Sequence, residues 1–292
     1  MPEPHGHPRT HQHGSSADGP DLDPLLDLDA EVLHEYWSTA FAWVRRSADQ
    51  TARHRLLDLG AGTGTGSVGL AQRFGGAEVV AVDVSPGSLR RLREKALDLG
   101  LAAQIRTVEA DLDAGWPDVG SFDLTWASMS LHHFADPTRV LRDVLAATQP
   151  GGLIAVAELT EPLRFLRDDL GFGSPGFEAR AVTTLGAAHA ETMPTLGSTW
   201  APRLTEAGWT VVDERDFVID LDPPRHPDAA RYARAWFARL SDGFADRLEP
   251  DDRTTLAALL DETGQGGPLD RTKLHIRGTR TVTLGRRPPE PD

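Results

Sequence analysis

Short apolar runs recur along the chain, and most are followed by a turn and then by apolar residues at helical spacing. Such runs are typical of buried strands, whereas spacings of three and four residues are typical of helices with one buried face. The alternation predicts an α/β fold with a mostly parallel sheet and helices on both faces. The predicted strands are Leu56–Leu59, Val79–Asp83, Ile105–Glu109, Phe122–Ser128, Leu153–Leu159, Trp209–Leu221 and Leu274–Leu284.

The turn after the first predicted strand is rich in glycine. Residues 55–66 read RLLDLGAGTGTG, and a helical pattern begins directly afterwards. Glycines allow positive φ and a close approach of the backbone to a ligand, and the free N–H groups of the helix start point toward it. A turn of this kind at the carboxyl end of a strand is typical of a nucleoside-cofactor site.

Two classes of cofactor fit a glycine turn, and Asp58 separates them. Residues 64–69 match the dinucleotide pattern G-x-G-x-x-G, but that fingerprint needs its first glycine at the strand end, and counting from Gly60 puts Thr65 at the last position. A carboxylate beside the turn would repel a pyrophosphate and suits an ammonium or sulfonium. A nicotinamide-dependent oxidoreductase is therefore the disfavoured alternative.

The sequence DLGAGTG at residues 58–64 resembles the first motif of the class I S-adenosylmethionine-dependent methyltransferases at every position. The resemblance extends over roughly residues 30–220 and is specific between 55 and 160. It implies a Rossmann-like seven-stranded sheet with an antiparallel last strand between the fifth and the sixth. It also implies S-adenosylmethionine as cofactor, bound at the turn by Asp58, Gly60, Ala61, Gly62, Gly64 and Thr65.

An acidic residue ends the second predicted strand. The carboxylate of Asp83 can accept hydrogen bonds from both ribose hydroxyls, and its neighbour Val84 joins the predicted cofactor site. Capping the next helix is the alternative role for Asp83. Ser85 and Pro86 already supply an N-cap and a first helical residue, which favours ribose binding.

Further cofactor contacts follow from the resemblance. In the family, an acid after the third strand accepts the adenine amino group, and the backbone N–H of the next residue reaches the ring. Asp111 and Leu112 occupy these positions, with Glu109 and Asp113 as alternatives for the acid. Ser128, at the end of the fourth predicted strand, is the predicted contact to the methionine part of the cofactor.

The segment MSLHHF at residues 129–134 resembles the family's motif after the fourth strand, whose histidines face the methyl group. His132 and His133 are the candidate general bases, with His133 slightly ahead, because an imidazole has a pKa of about 6.5. Packing over the cofactor is their alternative role, and Glu158 is a weaker candidate base. The segment is not Asn-Pro-Pro-Tyr, which disfavours amino groups on nucleobases as acceptors.

Apolar and aromatic residues between Asp29 and Arg46 repeat at helical spacing and predict one amphipathic helix. In the family, a helix at this position closes over the cofactor. Tyr36 and Trp37 are accordingly the candidate substrate contacts, although packing in the core is the favoured role for either side chain.

Two late segments, at about residues 162–198 and 222–272, interrupt the strand–helix pattern. Their layout weakly resembles that of trans-aconitate methyltransferases, and we expect them to form a helical cap over the substrate. Stabilising decoration or a homodimer contact is the alternative. Residues 1–23 are rich in His, Pro and Gly and predict a disordered tail, which leaves 24–292 as the methyltransferase domain.

Composition narrows the reactions and partners that the sequence allows. The 292 residues include no cysteine, which excludes disulfides, thiolate metal sites and a cysteine nucleophile, and no acid set predicts a metal site. The net charge of −14 disfavours nucleic acid as a partner. No apolar run is long enough to span a membrane and no signal region is apparent, so we expect a cytoplasmic enzyme.

The sequence therefore predicts methyl transfer from S-adenosylmethionine to a small-molecule acceptor, with oxygen favoured. The main alternative is a protein of the same fold that binds S-adenosylmethionine and catalyses a different reaction or none.

Overall fold

The structure is a computed structural model that describes residues 22–48, 54–261 and 267–289. Its centre is a seven-stranded sheet with the order β3-β2-β1-β4-β5-β7-β6. The strands are β1 (Arg55–Leu59), β2 (Glu78–Asp83), β3 (Ile105–Glu109), β4 (Phe122–Ser128), β5 (Thr148–Arg164), β6 (Thr210–Leu221) and β7 (Ile276–Arg286). The helices are α1 (Asp23–Val32), α2 (His34–Ser47), α3 (Thr65–Arg73), α4 (Pro86–Asp98), α5 (Pro137–Ala146), α6 (Phe177–Thr192), α7 (Ala201–Glu206), α8 (Ala229–Phe244) and α9 (Pro250–Asp261).

The direction of the strands confirms the predicted fold. Strands β1 to β5 are parallel to one another, whereas β7 is antiparallel to both β5 and β6. The antiparallel strand between the fifth and the sixth distinguishes this sheet from the parallel order of dinucleotide-binding folds.

Both faces of the sheet are buried, as the continuous apolar runs predict. Leu56 packs with residues of α1 to α4 on one face, and Leu57 packs with residues of α5 and α7 on the other. Neither side chain is accessible to solvent. Because all five parallel strands point the same way, their carboxyl ends share one edge, and the predicted cofactor residues lie along it.

The prediction of a single helix over residues 29–46 is wrong. The chain forms α1 and α2, separated at Leu33, where φ is −98° and ψ is 25°. The side chain of Leu33 is buried, so the break is fixed by core packing. The predicted tail lies outside the described residues except for its last two positions, and Asp23 already begins α1.

Strand β5 is much longer than the predicted Leu153–Leu159. It covers 17 residues and pairs with β7 as far as Arg164, so the first residues assigned to the cap belong to the sheet. Helices α6, α8 and α9 lie in the two predicted cap segments, where α6 packs against β5 and α9, and α8 packs against α1. That these helices cover a substrate stays a prediction. Among the described helices, none combines the length and the hydropathy needed to cross a lipid bilayer.

Candidate cofactor and active site

The turns after β1 and β4 are in direct contact. Gly60 has φ +69°, and a Cβ atom added to it would lie 2.4 Å from Cβ of Ser130. The hydroxyl of Ser130 donates a hydrogen bond to the carbonyl oxygen of Leu59 at 2.8 Å. Glycine is therefore required at position 60 for two reasons, its backbone conformation and the close approach of Ser130. No sequence pattern marks Ser130 as the residue that joins the two turns.

The glycine turn leads into α3 with its backbone in the left-handed region. Gly62 has φ +51° and Gly64 has φ +88°, and Gly64 is the residue before the first helical residue, Thr65. The N–H groups of Gly60 and Ala61 donate to one carbonyl oxygen at the end of β2, at 2.9 and 3.0 Å. The turn is thus fixed to the sheet while the start of α3 stays available for a ligand.

Asp58 lies beneath the turn and is almost completely buried. Its carboxylate accepts a hydrogen bond from the hydroxyl of Ser67 at 2.6 Å, and a Cβ atom on Gly66 would come within 2.6 Å of it. Burial raises the pKa of Asp58 to about 7, although the hydrogen bonds from Ser67 oppose this rise. Asp58 therefore holds the start of α3, and its contact with a bound cation stays a prediction.

The carboxylate of Asp83 connects β2 to the glycine turn. It accepts hydrogen bonds from the backbone N–H groups of Gly62 and Ser85, each at 2.8 Å. Ser85 itself caps α4, because its hydroxyl accepts the N–H of Ser88. Val84 is 47% exposed, so its apolar side chain is available for contact with a planar ring. Ribose binding by Asp83 stays a prediction.

The hydrogen bonds after β3 leave Asp111 more available than Asp113 as the predicted adenine contact. Asp111 is exposed and accepts the N–H of Asp113 at 2.9 Å. The carboxylate of Asp113 is engaged by the N–H of Ala135, with one oxygen at 3.1 Å. Leu112 is buried, and its carbonyl oxygen accepts a hydrogen bond from Arg139. The proposed contacts of Asp111 and Leu112 with the adenine stay predictions.

The end of β4 carries two features that are typical of ligand sites. The hydroxyl oxygen of Ser128 is buried and has no hydrogen-bond partner within the described ranges. Met129 has φ +53°, a strained conformation for a residue other than glycine. An unpartnered buried hydroxyl costs free energy unless a ligand satisfies it. Together with the glycine cradle around Gly60, it fits a polar cofactor at this edge of the sheet.

His132 forms a buried pair with Glu158. Its Nδ1 atom lies 2.7 Å from Oε2 of Glu158, and the two residues are 5% and 2% exposed. The other carboxylate oxygen accepts the backbone N–H groups of Ser130 and Leu131 at 3.2 and 3.1 Å. Glu158 therefore holds the loop after β4 and orients the imidazole, which makes it a positioning residue and not a free base.

His133 differs from His132 in its surroundings. The two rings are 4.2 Å apart between centroids, but His133 is partly covered by protein and partly exposed to solvent, whereas His132 is buried. Burial by the surrounding protein lowers the pKa of His133 to about 4, and the charges of His132, Arg239 and His189 lower it further. His133 is thus a neutral ring at neutral pH.

Tyr36 and Trp37 belong to a buried polar cluster centred on Asp29. The carboxylate of Asp29 pairs with Arg280 of β7 and accepts hydrogen bonds from Tyr232 Oη at 2.7 Å and Trp37 Nε1 at 3.2 Å. The guanidinium of Arg280 lies 4.9 Å from the ring centroid of Tyr36. Burial raises the pKa of Tyr36 to about 12. Both aromatic residues pack as core residues here, and their contact with a substrate stays a prediction.

A groove of about 750 Å³ lies between α2, α3 and α4. It includes Thr65 and Trp37, but neither the other predicted cofactor residues nor His132 and His133 line it. The groove is therefore distinct from the sheet edge described above. Within the described residues, no three His, Asp or Glu side chains are grouped to hold a metal ion.

Comparison with known proteins agrees with the geometry of this edge. Residues 56–152 match the family described as a methyltransferase domain, a range that contains the glycine turn, Asp83 and the His132 segment. Residues 56–152 belong to a methyltransferase domain. Outside that range, α1, α2 and the helices of the late segments surround the methyltransferase domain without belonging to the matched region.

Two curated relatives and one solved structure describe the similarity. The chain is 38% identical over 146 residues to the demethylmenaquinone methyltransferase of Thermus thermophilus, covering 49% of this chain and 64% of that one. It is 35% identical over 175 residues to the malonyl-[acyl-carrier protein] O-methyltransferase of Halorhodospira halophila, covering 59% and 54%. A Bacillus halodurans structure provisionally named a methyltransferase has TM-score 0.53 and 17% identity, with 86% and 99% covered.

These matches differ in what they support. The solved structure, at 17% identity, supports the fold of the methyltransferase domain and nothing finer. The chain covers less than two thirds of the length of either curated relative.

Proposed function

We propose that the protein transfers a methyl group from S-adenosylmethionine to an oxygen atom of a small-molecule acceptor. One observation carries the proposal: the segment 130–133 contacts the glycine turn at one end and carries the buried His132–Glu158 pair at the other. One short segment thus joins the glycine turn, contacted by Ser130, to a group able to accept a proton, His132, two residues further on.

The residues at the sheet edge suit an adenosine cofactor with a positively charged sulfur, which when bound supplies an electrophilic methyl group. Asp83 and the N–H groups of the glycine turn would hold the ribose and the methionine part. Val84, Asp111 and Leu112 would hold the adenine, and Ser128 has a hydroxyl that still lacks a partner within the described chain. Asp58, buried below the turn, favours a cation above it.

The acceptor must lose a proton when a hydroxyl oxygen is methylated. His132 is the better base of the two histidines, because the hydrogen bond between Nδ1 and Glu158 orients the ring and leaves Nε2 free to accept a proton. His133, with a pKa of about 4, is a weaker proton acceptor. This reverses the order that the sequence favours. We assign His133 to contact with the acceptor and His132 to proton removal.

The name of one relative supports oxygen as the acceptor atom. The Halorhodospira relative is named as an O-methyltransferase, which is the reaction type proposed here. Methyl transfer to carbon would use the same cofactor cradle, so the acceptor atom has to be determined from the product.

The test combines cofactor binding with product analysis. Purified protein is titrated with S-adenosylhomocysteine by calorimetry and incubated with methyl-labelled S-adenosylmethionine and a panel of small phenols and carboxylic acids. His132→Ala should lower kcat at least about 100-fold and leave the affinity for S-adenosylhomocysteine unchanged. His275→Ala is the matched control, because His275 also lies 2.7 Å from a carboxylate, that of Asp220, but at the protein surface.

Three outcomes separate the alternatives. Labelled product with a new O–CH₃ group supports the proposal. Tight binding of S-adenosylhomocysteine without transfer to any acceptor supports the alternative that the cofactor serves another reaction or none. Binding of a reduced nicotinamide in its place contradicts the proposal.

A further inference from the structure

Three basic side chains from separate elements lie close enough to the His132–Glu158 pair to influence one another's charge. We call the group formed by His133, His189 and Arg239 the basic corner. His189 belongs to α6 and Arg239 to α8, while His133 follows β4. The ring of His189 packs edge-on against Phe244 of α8, with 5.3 Å between centroids, so α6 and α8 hold the corner together.

Arg239 differs from the arginines around it. Its side chain is half-buried, and no hydrogen bond, ion pair or aromatic contact joins it to another residue in the parts of the chain that the structure describes. Burial alone acts on its pKa, which it lowers, and no carboxylate opposes that effect. By contrast, Arg247 pairs with Glu191 at 3.1 Å, and the buried Arg280 pairs with Asp29. A half-buried guanidinium without an acceptor is unfavourable unless a ligand supplies one.

The net charge of the basic corner indicates how much negative charge a matching ligand carries. Burial lowers the pKa of His189, and the nearby charges of His132 and Arg239 lower it further. Burial also lowers the pKa of His133, to about 4, and the charges of His132, Arg239 and His189 contribute to that shift. Both imidazoles are therefore neutral at neutral pH, and Arg239 provides one positive charge. A single guanidinium matches a carboxylate, with its planar pair of oxygens, better than a phosphate, which carries nearly two charges.

We infer that Arg239 binds a carboxylate of the methyl acceptor, with His133 and His189 as neutral hydrogen-bonding neighbours. This inference rests on the proposed function, because it assigns the chemical class of the acceptor. It makes the acceptor an organic acid, and it makes Arg239 a specificity-determining residue.

The test measures acid binding without turnover. With S-adenosylhomocysteine present, sodium benzoate and sodium phenylacetate are each compared with the corresponding primary amide by NMR titration of His133 and His189. The acids should raise the pKa of both imidazoles through their negative charge, and the amides should not. Arg239→Gln should weaken binding of the acids at least about tenfold. In the free protein, Arg239→Gln should also raise the pKa of both imidazoles, because it removes a nearby positive charge.

Arg247→Gln is the matched control, because it removes a neighbouring arginine whose partner is Glu191. It should leave acid binding and both imidazole titrations unchanged. The inference is overturned if neither acid binds the wild-type protein, if the amides bind equally well, or if Arg239→Gln changes neither titration. Calorimetry with S-adenosylhomocysteine on the same samples keeps the two hypotheses apart. If the protein binds the cofactor and transfers methyl groups normally but does not recognise acids, the role of Arg239 is contradicted and the proposed function stands.

Discussion

His132 Nδ1 lies 2.7 Å from Oε2 of Glu158, in a part of the protein that is almost inaccessible to solvent. Glu158 is on β5, and His132 is in the loop after the neighbouring strand β4. The same carboxylate accepts two backbone N–H groups of that loop. One side chain thus fixes both the path of the loop and the orientation of the imidazole.

Replacing Glu158 by Ala should lower the free energy of unfolding by at least about 2 kcal/mol, because the imidazole N–H and two backbone N–H groups lose their acceptor. Urea unfolding measures the effect. Glu161→Ala is the control on the same strand, because its exposed carboxylate accepts only a surface hydrogen bond from Thr279. We expect that change to stay within about 0.5 kcal/mol. Equal effects of the two substitutions would contradict the role given to Glu158.

Gly60→Ala should destabilise the protein more than Gly100→Ala, although both glycines have φ +69°. The strain of a left-handed alanine, about 1–2 kcal/mol, is common to both variants. Only at position 60 would the new Cβ meet Ser130, whereas nothing lies within 4 Å at position 100. Thermal unfolding and the affinity for S-adenosylhomocysteine measure the difference. Ser130→Gly in the Gly60→Ala background should recover part of the loss, and no recovery would refute the contact.

Asp83→Ala should weaken binding of S-adenosylmethionine at least tenfold, ~1.4 kcal/mol or more, because it removes the predicted ribose acceptor. It also removes the acceptor for the N–H of Gly62, so the glycine turn loses a fixed point. Glu78→Ala is the control, since Glu78 lies at the opposite end of β2 and pairs with Arg55. Calorimetry should find the affinity of that variant unchanged. An Asp83→Ala protein with wild-type affinity would refute the ribose assignment.

Asp58 should couple cofactor binding to pH. Burial raises its pKa to about 7 in the free protein, and a bound cation favours the ionised carboxylate, so binding lowers that pKa and releases a proton. Affinity should therefore rise as the pH increases from about 6 to about 8. Calorimetry at pH 7 in two buffers of different ionisation enthalpy counts the proton.

Asp58→Asn controls for the titration of the cofactor itself, because it keeps the shape of the side chain and removes its charge. The difference between wild type and this variant isolates the contribution of Asp58. Parallel pH profiles for the two proteins would show that the carboxylate does not sense the bound cation.

The strands from β1 to β4 agree with the sequence prediction to within a residue because each is a short, locally marked apolar run. The length of β5 was not predictable in the same way, since its extension to Arg164 depends on pairing with the distant β7. Likewise, the break at Leu33 is set by tertiary packing of a residue that fits the helical pattern on either side.

The candidate site likewise has one part that the sequence could predict and one part that it could not. Glycines followed by an acid on the next strand form a local motif. In the structure, the backbone N–H of Gly62 donates a hydrogen bond to the carboxylate of Asp83. Arg280 and Ser130 acquire their roles through partners far away in the chain, and the role proposed for Arg239 depends on its position near His133 and His189. A single sequence contains no local pattern for such pairs, because an isolated arginine or serine is most often a surface residue.

Strand β5 also determines how the protein can open. It is paired with β7 from Leu153 to Arg164, and β7 is paired with β6 along the same length. A rigid-body movement of β6 and β7 away from β5 would have to break this ladder, so we expect the sheet to stay intact when a ligand binds. We therefore expect an acceptor to enter between helices, and the size of the molecules admitted to depend on how far those helices move apart.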